Sequence, residues 1–497
     1  MRLVTNKQMT LGQTGIKHIK IDVTSRDDIP KILLGIQHIH CDKTTCEEVF
    51  SILTELVPMR KDGSKVSSTC GRPGMQQWEM LVLGTLKLCL DSDYDRLIEL
   101  ANHHDVIRKM LGCHDGFGNG KVYKLQTVRD NLRLFTPEYM DRINQVVVRS
   151  GHALLGHGMD DKISGRCDSF VLKTDVSFPT DIGLLFTSIR KVIELCRHLY
   201  DGAGAGDWRQ SEYNIRCFKR QYRTIQKMKH STSKKEVRKQ EIAEKIVMEH
   251  NTYLNMAKGI LARAKHTIKA YRVCEDVSLL SLLEIDSLEG YMSDATLLMD
   301  QIVRRVVNDE KIPHQEKIFS LFQRHTEWIC KGKAGVPVEL GLRVCIMEDH
   351  DRFILHHQVM EKVTDDKVTL SMVNETRERF PGLSVVSMDK GFHSKTNQEE
   401  LKKVLEQVVM PKKGRLSQAD KERQSDPEFI RLRLNRSAVE SAINSLQVHG
   451  LAICRDYGID GFKRYAAMAV LAHNIHRIGA ILREKELKRI KRCKKAA

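Results

Sequence analysis

The chain has 497 residues, of which 41% are hydrophobic and 29% charged, and a formal net charge of +17. That length exceeds one ordinary domain and leads us to expect two to four, with enough apolar material for well-packed cores. No apolar run is long enough to span a bilayer, the opening MRLVTNKQMT lacks the apolar stretch of a signal peptide, and the basic balance favours a polyanionic partner over a membrane.

Residues 1–150 read as mostly helical. QQWEMLVLGTLKLCL (76–90) is apolar on most faces and predicts a buried helix. A second helix fits about 93–110, before LGCHDGFGNG breaks the pattern. Thr136-Pro137-Glu138 has the chemistry of a helix start: a capping hydroxyl, a proline in the first turn and an acid near the dipole's positive end. Ile143, Val146 and Val147 supply that helix's apolar stripe.

SFVLKTDVSF (169–178) predicts a strand, and a helix begins near Thr180. A glycine-rich loop, DGAGAGD (201–207), opens a polar helical stretch over about 205–310. Within it, residues 218–241 are dense in Lys and Arg, as in a solvated helical arm or antiparallel hairpin. After Pro313, VELGLRVCIMED (338–349) and FILHHQVME (353–361) predict a hairpin across the polar turn His350–Arg352. A helix over 365–379, a strand over 383–389, a helix over 395–406, a strand ending at Pro411, and helices over about 436–450 and 460–490 complete the order.

Thirteen cysteines, an odd number and without a CxxC pair, fit a reducing cytoplasm with thiols buried as small apolar groups. His38, His40, Cys41 and Cys46 group locally, but no second ligand pair follows at finger spacing, so no zinc site is expected there.

Three carboxylates stand at informative positions. Asp389 ends a predicted strand and is followed by Lys390-Gly391-Phe392. An acid at the carboxyl end of a buried strand is a usual active-site placement in an α/β sheet. Asp168 opens the first predicted strand, and Glu440 lies in the first turns of a later helix. Carboxylates brought together repel unless divalent cations sit between them, and two such ions about 3.5–4 Å apart can act on a phosphodiester. Each acid also has a plainer role: a turn residue at Asp168, a helix cap at Asp389, and a capping box between Ser437 and Glu440.

CDSFVLKTDVSFPTDIGLL (167–185), VVSMDKGFHSKTNQEEL (385–401) and NRSAVESAINSLQVHGLAICRDYGIDGFKRYAAMAVLAHNIHRIG (435–479) resemble the three motifs of DDE-type insertion-sequence transposases. The match is nearest to the bacterial group termed "not classified yet" (ISNCY). The third motif, with R-x-x-x-E opening a helix and an N-I/L-h-R helix following, is the most specific. The resemblance implies an α/β ribonuclease-H-like catalytic core, a mixed sheet flanked by helices, with a large helical insertion and an all-α amino-terminal domain. The expected division is a helical DNA-binding or accessory domain at 1–150, a catalytic domain at 160–204 and 315–480, an insertion at 205–314, and a basic tail at 481–497.

It further implies a triad of Asp168, Asp389 and Glu440 holding two Mg²⁺ or Mn²⁺ ions. The reaction would be DNA cleavage and strand transfer on element ends and target DNA, by a homodimer or higher assembly, in the cytoplasm. A catalytically inactive or nuclease-only DNA-binding relative is the alternative. Asp175 lies on the same predicted strand as Asp168, and strand alternation alone does not choose between them; the motif alignment favours Asp168. Arg436, four residues before Glu440, shares its helix face. Arg433 and Gln447 replace the family's usual tyrosine and lysine. Lys390, Lys412, Lys413, Arg433 and Arg436 are the candidate DNA contacts.

Overall fold

Short segments bounded by turns pair, among the described residues, into a seven-stranded sheet. The computed structural model describes residues 3–5, 12–57, 74–113, 120–158, 161–203, 208–272, 279–330 and 337–496. The strands are β1 (Ile163–Thr174), β2 (Glu327–Cys330), β3 (Val338–Asp349), β4 (Ile354–Met360), β5 (Leu383–Met388), β6 (Gln407–Val409) and β7 (Ile453–Cys454). The sheet runs β2-β3-β1-β5-β6, with β4 also on β3 and β7 on β1. β3 is antiparallel to β1 and β4 to β3, whereas β5, β6 and β7 run parallel to their neighbours. Helices flank this mixed sheet, including Asp365–Arg379 against β3 and β4, and Ala438–Leu446 against β1.

By contacts the chain divides into two units, residues 1–175 with 329–497, and 176–328. The first holds the sheet and the amino-terminal helices in one apolar core. Helix Gln77–Cys89 is buried at every position, as its all-round apolar sequence requires. The helix expected over 93–110 is two, Tyr94–His103 and Asp105–Met110, because His104 is extended and its ring accepts from the Ile107 amide. Helix Pro137–Leu155 starts where expected and buries Ile143, Val146 and Val147, but Thr136 makes no side-chain cap; proline at the first turn carries that start.

Helices Ile29–Cys41 and Gly458–Ala496 cross at two glycines. A Cβ on Gly35 would lie 2.1 Å from the Ile475 carbonyl oxygen, and one on Gly479 would lie 1.7 Å from that of Lys31. Backbone cannot yield as a flexible side chain can. Gly479→Ala should therefore destabilise the protein by about 1–3 kcal/mol, as overpacking does, seen as a lower guanidinium midpoint than wild type. The same long helix runs through residues 481–496 of the segment expected as a basic tail at 481–497.

The second unit is helical. Helix Asp181–Ala203, expected to belong with the sheet, turns Leu185, Ile189, Val192, Ile193 and Cys196 into the same core as Phe218, Tyr253 and Leu288. This widens the expected 205–314 insertion to 176–328. Helices Ser211–Lys227 and Glu236–Arg272 pair antiparallel: Phe218 stacks on Tyr253, and Gln221 donates to the Glu249 carbonyl. Of the expected loop at 201–207, residues 201–203 end a helix and 204–207 lie outside the described residues. Among the described residues, no helix is long and apolar enough to cross a membrane.

Candidate active site

β1 begins six residues earlier than expected, so Asp168 is central in the strand and not at its start. It faces Ile346 of β3 on one side. On the other side Cys167 pairs with Met388 in parallel register, which sets Asp389, one residue beyond, level with Asp168. Alternation separates neighbours on β1: Ser169 donates to Asp365 on one face, while Asp168 meets Arg436 on the other. Arg436 Nη1 donates to Asp168 Oδ2 at 2.9 Å, and Arg436 Nη2 lies 3.9 Å from Glu440 Oε1. One guanidinium thus spans the first and third acids.

Burial pushes the Asp168 carboxyl above its usual range, with the neighbouring Asp389 adding to the shift; the Ser169 amide and Arg436 pull the other way. Asp389 precedes a short 3₁₀ turn, Lys390–Phe392, and makes no side-chain cap. Its carboxylate is not consumed by that turn. The expected capping box at Ser437 and Glu440 is absent: Ser437 is itself helical, and its hydroxyl donates back to the Leu434 carbonyl. The true capping box is at Ser417 and Asp420. Glu440 is left 68% exposed, with Arg436 alongside. Asp175 follows the end of β1, exposed and seven residues past Asp168, while Asp181 pairs with Arg305.

The carboxylates are gathered but not closed. Among the described residues, the groups of three potential ligands within 4.8 Å of one another lie elsewhere. Electrostatics accounts for this: acids that repel are held apart, and Arg436 stands between two of them.

Of the basic candidates, Lys390, Lys413 and Arg433 are exposed. Lys412 is instead engaged by Asp420 Oδ2 at 2.5 Å, which offsets its charge. Sequence reasoning missed Arg166 and Glu348, paired across β1 and β3 on the Asp168 face. Burial pushes Glu348 up to about 7, against the pull of Arg166. The signal was Glu348-Asp349, two acids closing a strand after the apolar run Val344–Met347. Also missed was the work of Asn474 in the N-I-h-R segment. Its amide donates to the Ile354 carbonyl and to Asn144, and its carbonyl accepts from the Ile354 amide. Arg477 Nε donates to the Asp351 carbonyl. That segment fastens the β3–β4 hairpin to the helices.

In the His38–Cys46 group, His38 bonds the Ser150 hydroxyl, and His40 packs edge-on to Trp78. The described cysteines are free thiols, with Cys89, Cys113, Cys167, Cys196, Cys345 and Cys454 buried. Among the described residues, two His/Asp groups able to hold a metal ion lie elsewhere, His157-His350-Asp351 and His152-Asp349-Asp351. A mixed sheet with these ligand groups and a carboxylate-lined face is compatible with a metal-dependent hydrolase. No family model, curated protein or solved structure matches the chain.

Proposed function

We propose that the chain is a DNA transposase whose sheet is a ribonuclease-H-like core and whose reacting centre is Asp168, Asp389 and Glu440. The observation that carries the reading is the placement of Asp168 on β1 level with Asp389, one residue past the end of the parallel strand β5, with Arg436 bridging Asp168 to Glu440. The strand order β4-β3-β1-β5-β6, with the first three antiparallel and the rest parallel to β1, supports that core.

The residues fit a divalent cation. A cationic guanidinium already sits where the acids need positive charge, and the buried Asp168 is poorly stabilised as an anion without more. Asp168, Asp389 and Glu440 would hold Mg²⁺ or Mn²⁺, which supplies activation of a water or 3′-hydroxyl and stabilisation of the leaving oxygen. Arg436, once released from Asp168, is placed to grip the scissile phosphate in two-pronged fashion. Lys390 and Arg433 add positive charge on the exposed flank.

The test is incubation of the purified chain with duplexes carrying the DNA that flanks its gene, with Mg²⁺. Cleaved ends bearing 3′-hydroxyls and joined products are expected. Cleavage without joining would make it a nuclease, and binding without cleavage an inactive relative. Binding should also weaken by about a thousandfold between 50 and 200 mM salt if some six phosphates are neutralised. A salt-independent affinity would remove DNA as the partner.

A further inference from the structure

Helix Pro137–Leu155 ends at Gly156, whose φ of +90° reverses the chain. This returns His157 to the side of His152, with ring centroids 6.1 Å apart. Both then meet the β3–β4 turn, where Arg352 takes a φ of +68° and so fixes the direction of His350 and Asp351. His157 Nε2 lies 3.0 Å and His350 Nε2 3.2 Å from the same oxygen, Asp351 Oδ2. Aligned N–H groups at these distances would make hydrogen bonds. Neither does, and the buried Oδ2 has no hydrogen-bond partner. The two ring nitrogens therefore stand beside the oxygen without bonding it, and one ligand atom of each of His157, His350 and Asp351 lies within 4.8 Å of the others.

That is the arrangement of ligands around an ion. Bonds of 2.0–2.1 Å at tetrahedral angles separate neighbouring ligand atoms by about 3.3 Å, close to the 3.0 and 3.2 Å seen here. A plain surface ion pair would instead point one N–H along each contact. Asp161 Oδ2 stands 3.7 Å from His157 Nδ1, on the far side of that ring. A carboxylate behind a ligating imidazole sets its tautomer and raises its basicity. Beside them, His152 Nε2 bonds Asp349 Oδ2 at 2.6 Å, and Asp349 Oδ1 accepts from the Phe353 amide.

We infer that His157 Nε2, His350 Nε2 and Asp351 Oδ2 bind one borderline-soft divalent cation of the Zn²⁺ class, clamping the end of helix Pro137–Leu155 to the β3–β4 turn. Two imidazoles in three ligands select a late first-row metal over Mg²⁺, which takes oxygen ligands. The centre is separate from Asp168, Asp389 and Glu440. Asp351 belongs to both His/Asp groups. His350 is about half exposed, so the ion enters from solvent, and water takes the fourth position.

The test uses untagged full-length protein stripped with chelator, then titrated with Zn²⁺ and, separately, Co²⁺. One equivalent should bind. The Co²⁺ form should show the intense visible absorption of a tetrahedral site, and millimolar Mg²⁺ should not displace it. Asp351→Asn and His350→Ala should each abolish that spectrum, while Asp389→Asn and Glu440→Gln keep it. Because His350 is exposed, His350→Ala should retain the metal-free Tm and lose only the rise in Tm that Zn²⁺ gives wild type. Absence of stoichiometric uptake by wild type, or a spectrum that survives Asp351→Asn, would overturn the assignment.

Discussion

Asp389→Asn and Glu440→Gln should each lower DNA cleavage and joining by about a thousandfold or more, the scale on which reacting groups that act as a unit fail, while leaving DNA affinity within about twofold. The reasoning separates two charges. Phosphate affinity comes from exposed lysines and arginines, whereas the acids hold cations. Each substitution keeps side-chain volume and removes a negative charge. Neither acid bears on stability through a cap: Asp389 caps nothing, and Ser437 leaves Glu440 out of any capping box. A loss of activity in Glu440→Gln therefore cannot be assigned to a weakened helix start. Asp168→Asn should be equally inactive and Asp175→Asn nearly unaffected, since Asp175 lies beyond the strand end. A gel-based cleavage assay on flanking DNA, run beside filter binding, reads both quantities. Wild-type cleavage by Asp389→Asn, or by Asp168→Asn with an inactive Asp175→Asn, would remove the corresponding acid from the reaction.

β3, β4 and β5 were legible because each is a run of β-branched and apolar residues closed by a turn. The first half of β1, Ile163 to Asp168, was not. Its Gly165, Arg166 and Asp168 look like loop chemistry locally, and only partners far along the chain satisfy them: Glu348 and the Asn435 carbonyl for Arg166, and Arg436 for Asp168. The same distance hid the role of Arg436. Its i, i+4 relation to Glu440 is visible in sequence, whereas its contact with Asp168 spans 268 residues. Adjacency along the chain groups helix Asp181–Ala203 with the sheet, but its apolar face matches partners after residue 208. Ser437 and Glu440 have the spacing of a capping box, yet the helix before them runs almost unbroken into Ser437, so no free helix start remains for the hydroxyl to cap. The His157–Asp351 centre was illegible for a simpler reason: its ligands come from two stretches nearly 200 positions apart, joined only when β3 and β4 pair beside the helix end.

The protein should lose stability steeply as pH falls from about 6.5 toward 4. The three most strongly shifted histidines lead this. Burial pushes His473 down to about 3, aided by His476 and His449. Burial likewise pushes His476 down to about 4, with His449 and Lys31 adding to the shift and Asp28 opposing it. His357 falls to about 4 by burial and the neighbouring His356, against Asp141 and Glu375. Each is neutral in the folded chain and free to protonate near 6.5 once unfolded. Between those values the unfolded state binds more protons, so stability drops with falling pH and is fully present only above about 6.5. Even a tenfold weaker hold on the proton at each of the three sums to about 4 kcal/mol, a large share of a margin of about 5–15 kcal/mol. Glu348 acts in the opposite sense. Raised from 4.5 to about 7, it favours the folded state as pH falls through that window, as do Glu79 and Asp168, whose carboxyls burial also pushes up; the depressed histidines outnumber these acids, since burial also lowers His38, His40 and His250. Guanidinium midpoints at pH 7.5, 6 and 5 should therefore fall in that order. Glu348→Gln should raise stability at pH 8, where the buried charge is otherwise forced, and steepen the acid loss because its counterweight is gone. His473→Gln should flatten the slope, because one buried neutral imidazole no longer takes up a proton on unfolding. Midpoints that hold level from pH 7.5 to 5, or a Glu348→Gln protein less stable than wild type at pH 8, would show that these buried groups do not govern the acid response.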